Sequence, residues 1–109
     1  MLNRIPKSFT VGGQDIEVKR VEFCEDSCLG NIILSQGEIQ IANNVSRSMP
    51  HSETSKLNTF YHELTHAILR TMGEYELNNN ETFVCSFSGF LTEAIRSFKY
   101  EDQYGTISD

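Results

Sequence analysis

Between residues 8 and 42 apolar positions alternate with polar ones, the period-two signature of strands with one covered face. Phe9, Val11, Ile16 and Val18 flank Gly12-Gly13-Gln14-Asp15. Glycines there suit a turn at positive φ, so the stretch predicts a β-hairpin, with Val21 and Phe23 extending its second strand. A second hairpin is expected from Asn31–Ser35 and Glu38–Ala42, turning at Gln36-Gly37. Ile39 and Ile41 then share one face of the strand, and Glu38 and Gln40 the other. The expected product is a small antiparallel sheet of three or four strands. Residues 43–51 are polar and end in Met49-Pro50-His51, which reads as a loop because proline disfavours helix at the residue before it.

After the loop the period lengthens. Leu57, Tyr61, Leu64, Ile68 and Met72 recur at steps of three and four, predicting a helix from about Ser52 to Met72 with that stripe against the core. Ser52 or Thr54 suits its N-cap, Glu53 its first turn, and Gly73 its end. Residues 74–80 form a connection, and Asn80 suits the cap of a second helix running to about Lys99. Phe83, Phe87, Phe90, Ala94 and Phe98, joined by Val84, Leu91 and Ile95, give that helix an apolar face expected to be core. Residues 1–100 therefore read as a single α+β domain and residues 101–109 as a polar, disordered tail.

Composition narrows the classes. A net charge of -6, from 9 Lys+Arg against 15 Asp+Glu, disfavours a nucleic-acid partner. No apolar run approaches the ~20 residues of a membrane span, and Met1–Lys7 lacks a secretory apolar segment, so the expected compartment is the cytoplasm. Cys24, Cys28 and Cys85 are an odd set, read as ordinary reduced thiols rather than a disulfide framework.

The chemistry concentrates in His62-Glu63-Leu64-Thr65-His66. Residues i and i+4 of a helix lie one turn apart on one side, so His62 and His66 can converge on one ion. Zinc suits paired imidazoles, and Glu63 beside them suits a general base acting on water. On a helical wheel the two histidines fall nearly opposite the apolar stripe, beside Asn58 and Leu69, which argues against core histidines. A catalytic zinc site takes three protein ligands and leaves one position for water. Candidate third ligands are Glu74, Glu76, Glu81 and Glu93. Glu81 is favoured because it opens the second helix, off the Phe stripe, with Glu74 or Glu76 next. Its bland alternative is a first-turn glutamate favoured by the helix dipole. For an oxyanion-stabilising donor, His51, Tyr61, Tyr75, Tyr100 and Tyr104 remain open, with Tyr61 better read as packing and His51 as a loop residue.

With a strand-rich first half, His62-Glu63-Leu64-Thr65-His66-Ala67-Ile68-Leu69 and Asn80-Glu81-Thr82-Phe83-Val84, the chain resembles gluzincin-type metallopeptidases, and among them the compact phage and bacterial ImmA/IrrE-type peptidases, over residues 30–98. The resemblance implies a zincin-like fold and a zinc ion held by His62, His66 and Glu81. It also implies Glu63 as base, a peptide or protein substrate, and the strand of Ile39 and Ile41 as an edge to which an extended peptide adds. The chain departs from the family where a Glu-x-x-Ala-Asn pattern reads Glu81-Thr82-Phe83-Val84-Cys85. The expected activity is zinc-dependent peptide hydrolysis. The rival expectations are a metal-binding domain without activity and a phage or bacterial protein-interaction module with incidental histidines.

Overall fold

Gly12 and Gly13 both take positive φ, 59° and 81°, and reverse the chain between β1 (Ser8–Val11) and β2 (Gln14–Val21). The two strands pair antiparallel from Ser8↔Glu17 to Val11↔Gln14. The computed structural model describes residues 5–24, 29–46, 49–101 and 107–108. Cys28 and Tyr104 therefore lie outside the described residues, as does much of the expected tail. β3 (Gly30–Ile33) and β4 (Glu38–Ala42) form the second hairpin, joined by a 3-10 turn at Leu34–Gln36. Phe23 lies beyond the end of β2 and is exposed.

The four strands make one sheet in the order β1-β2-β4-β3. β2 and β4 run parallel, from Glu17↔Glu38 to Val21↔Ala42. The sheet is thus mixed, which corrects the expected antiparallel sheet. Turn residues specify each hairpin locally, but they do not say which strand of one hairpin pairs with the other. β4 takes an interior position because Ile39 and Ile41 are completely buried there. With β2 on one side and β3 on the other, β4 has no open edge, so the expected edge at Ile39 and Ile41 is overturned. Among the described residues the open edges belong to β1 and β3. The expected loop at 43–51 also holds a short pair, β5 (Asn44–Ser46) and β6 (Met49–Pro50).

α1 (Glu53–Met72) starts where the Ser52 side chain accepts a hydrogen bond from the Ser55 amide at 3.1 Å, and stops at Gly73 in the left-handed region. Phe60 and Ala67 are buried on Ile16, Ile32, Ile39 and Ile41 of the sheet, with Tyr61 and Leu64 packed alongside. The expected stripe is thus covered in part: Leu57 is buried and Tyr61 and Leu64 pack on the core, but the C-terminal half of the covered face shifts to Ala67 and Leu69. Ile68 and Met72 are exposed and instead line an apolar cavity of about 400 Å³ with Leu69, Leu77, Phe83 and Phe87.

α2 (Tyr75–Asn78) is a single turn inside the expected connection, and α3 (Glu81–Arg96) follows it. The Asn80 side chain caps α3 by accepting from the Phe83 amide at 3.0 Å. α3 packs on α1 through Val84, Ser88 and Thr92, all buried, whereas Phe87, Phe90 and Phe98 are exposed. This overturns the expectation that the aromatic face is core. Small side chains let two helix backbones approach closely, and the serine and threonine hydroxyls turn back onto carbonyls of their own helix. β7 (Tyr100–Glu101) and β8 (Ile107–Ser108) pair beyond α3, so Glu101 and β8 of the expected tail are in a strand pair. No helix of the described residues is long and apolar enough to cross a membrane.

Candidate metal and acid–base centre

Capping sets the site. Ser52 and Gly73 fix the ends of α1 and hold His62, Glu63 and His66 in its regular middle turns. Asn80 starts α3 so that Glu81 is its first residue, turned back towards those histidines. His62 Nε2 lies 3.4 Å from Glu81 Oε2, and His66 Nε2 lies 3.2 Å from Glu81 Oε1. The two rings meet edge to face with centroids 5.0 Å apart. Glu74 and Glu76 are exposed on the connection, and Glu93 lies on a shallow groove with Asn58, Gly89 and Arg96. Of the candidate third ligands, Glu81 is the one the fold brings to both histidines.

The separations bear on metal binding. Two donors on one tetrahedral zinc, each about 2.1 Å from it, are about 3.4 Å apart. Both histidine–glutamate separations are close to that figure and longer than the about 2.7–2.9 Å of a charge-assisted hydrogen bond. Two neutral imidazoles with a carboxylate are also a donor set that zinc accepts. The chemistry of the donors and each histidine–glutamate separation therefore fit the ion, while His66 would draw in towards His62 and Cys85 on binding it.

Two neighbours of this set are not among the expected ligands: Asn78, and Cys85, expected to be an ordinary thiol. Asn78, the buried last residue of α2, places Oδ1 2.7 Å from His66 Nδ1. Cys85, one turn after Glu81, places Sγ 3.9 Å from Glu81 Oε2 and 4.0 Å from His62 Nδ1. His62, Glu81 and Cys85 each offer a donor atom within 4.8 Å of the others. His66 stands outside that group of three, although its Nε2 lies 3.2 Å from Glu81 Oε1. The Glu81–Cys85 spacing of four repeats the His62–His66 spacing, a signal present in the sequence. Asn78 carries no comparable pattern, since its place depends on a one-turn helix.

Glu63 is buried between α1 and β3, where a Cβ on Gly30 would lie 3.4 Å from its Cγ. Burial pushes its carboxyl up to about 7; Glu81 adds to the rise, while His66 and Arg70 oppose it. Burial likewise lowers the pKa of His62, with Glu81 opposing and His66 assisting. Imidazole nitrogens kept neutral are free to donate a lone pair, and a carboxyl near 7 suits proton exchange at neutral pH.

The expected oxyanion donors fare differently. His51 is buried, with Nδ1 2.7 Å from the Ala42 carbonyl and Nε2 2.9 Å from the Ser55 hydroxyl, so it ties the end of β4 to the first turn of α1. Tyr61 packs edge to face on Phe60, and burial raises its pKa. Comparison of the chain with family models, with curated proteins and with solved structures finds no match to any of them.

Proposed function

We propose that this chain is a zinc-dependent peptidase in which His62, His66 and Glu81 hold the ion and Glu63 is the general base. The observation that carries the reading is the convergence of both imidazole Nε2 atoms on the two oxygens of one carboxylate, at 3.4 and 3.2 Å, with a buried carboxyl on the same helix beside them. Zinc at these donors supplies Lewis acidity, acidifying water and polarising a carbonyl oxygen.

The chain's own groups do the rest. A carboxylate oxygen of Glu63 takes the proton from the attacking water and later delivers it to the leaving amine nitrogen. The Asn78 carbonyl oxygen accepts the His66 Nδ1 proton and so keeps Nε2 unprotonated on the side of the ion. The open edge of β3 runs past Gly30, next to Glu63, and offers unpaired backbone groups to an extended peptide beside the base. A zincin-like arrangement follows from this reading: an edge strand, the helix with the paired histidines, and a following helix that supplies the third donor.

The test is elemental analysis with cleavage of a denatured protein. Zinc is expected in stoichiometric amount in the full chain and lost on His62→Ala, His66→Ala or Glu81→Gln. Glu63→Gln keeps the zinc and loses cleavage by at least ~100-fold, the usual contribution of a general base. Zinc retained after all three ligand substitutions overturns the reading.

A further inference from the structure

We propose that Cys85 is a fourth donor to the same ion, closing the site on the side that His62 and Glu81 share. This rests on the metal reading above. α1 gives the site a pair of donors one turn apart, His62 and His66, and α3 gives a second such pair, Glu81 and Cys85. A sulfur at about 2.3 Å and an oxygen at about 2.1 Å from one tetrahedral zinc lie about 3.6 Å apart. Cys85 Sγ and Glu81 Oε2 are 3.9 Å apart, a few tenths of an ångström from that separation. The cysteine is exposed, so the protein does not hold its sulfur away from the site.

The chemistry of the pairing is specific. Zinc binds thiolate as readily as imidazole, and the thiol proton leaves to solvent as the zinc–sulfur bond forms. Four protein donors are the pattern of a closed site, whereas hydrolysis needs an open position for water. Cys85 therefore holds the centre in a resting state, and access for water requires its sulfur to swing out. The same thiol otherwise serves as a weak hydrogen-bond partner, donating to Glu81 Oε2 at 3.9 Å and meeting His62 Nδ1 at 4.0 Å. The contact with His62 orients the ring without touching the ion.

Cobalt(II) titration of the metal-free full chain separates these possibilities, because cobalt replaces zinc at such donors and a bound thiolate gives a near-ultraviolet sulfur-to-cobalt charge-transfer band. The unaltered chain is expected to bind stoichiometric cobalt with the band. Cys85→Ser and Cys85→Ala are expected to bind it without the band and at least tenfold more weakly. Binding by the unaltered chain with no such band overturns the proposal and leaves Cys85 as a hydrogen-bond partner of Glu81 and His62. A band that persists in Cys85→Ala also overturns it. If the unaltered chain binds no cobalt, or His62→Ala binds it equally well, the metal reading itself fails.

Discussion

His66 Nδ1 lies 2.7 Å from Asn78 Oδ1, and the same ring's Nε2 lies 3.2 Å from Glu81 Oε1, so one imidazole is held from both sides by the segment that follows α1. A carbonyl oxygen can only accept, so the contact selects the tautomer with its proton on Nδ1 and its lone pair on Nε2. Outer partners of this kind typically change metal affinity by about 10–100-fold. Asn78→Ala is expected to weaken zinc binding by that factor in a chelator competition. Asn78→Asp, which keeps an acceptor at the same place, is expected to restore most of it. Equal affinities for all three chains count against the role.

The buried carboxyl of Glu63 makes the metal-free chain sensitive to pH in a defined direction. Its pKa stands near 7 in the fold against an ordinary 4.5, so the folded state binds the proton more tightly. This contribution is fully present below 4.5 and is lost as pH rises through 7. The shift corresponds to roughly 3 kcal/mol at most. His62, whose pKa is lowered, acts in the opposite sense, because its contribution is present above 6.5 and is lost as pH falls through the lowered value. Glu63→Gln removes only the first effect. With chelator present, it is expected to melt several degrees above the unaltered chain near pH 8 and close to it near pH 5. The same difference at both values would show that the fold does not raise the carboxyl's pKa.

Much of this arrangement is legible in the residues, and the missing parts share a cause. Gly12-Gly13, Ser52, Gly73 and Asn80 act through the backbone within a few residues, so hairpin and helix limits follow from sequence. The pairing of His62 with His66 is equally local. Bringing Glu81 to both needs only that α3 starts at Asn80 and folds back. What escapes is the relation between elements. Nothing local to Val18 or Ile39 marks them as parallel neighbours. Periodicity finds an apolar face on α3 but not the face that packs, and the narrow strip of Val84, Ser88 and Thr92 is chosen over the larger phenylalanines. Asn78 escapes for the same reason, since its contact with His66 depends on how α2 is turned against α1, whereas the i, i+4 spacing of Glu81 and Cys85 stands in the sequence unread.

That choice of face gives a stability contrast. Val84 is completely buried, and Val84→Ala removes two buried methyl groups, expected to cost about 2 kcal/mol with the cavity included. Phe90 is 72% exposed, and Phe90→Ser is expected to change folding stability by less than ~0.5 kcal/mol despite the larger deletion. Urea unfolding of the two variants measures this directly. A larger loss for Phe90→Ser would mean that the aromatic face is covered in solution.

The contact of β3 with α1 predicts a substitution whose damage a second substitution repairs. A Cβ placed on Gly30 would lie 2.4 Å from Thr59 Cγ2, closer than atoms can stand, and 3.4 Å from Glu63 Cγ. Gly30→Ala must therefore push the edge strand off the helix or displace Thr59. Overpacking of this kind costs about 1–3 kcal/mol. Thr59→Ala removes the clashing methyl, so the double variant is expected to recover most of the loss, with a coupling of at least ~0.5 kcal/mol in the cycle. Cleavage is expected to follow the same order, because the displaced strand carries both the wall behind Glu63 and the edge proposed for the peptide. Strictly additive effects would mean that the strand and the helix do not touch at this point, and the seat of Glu63 would have to be sought elsewhere.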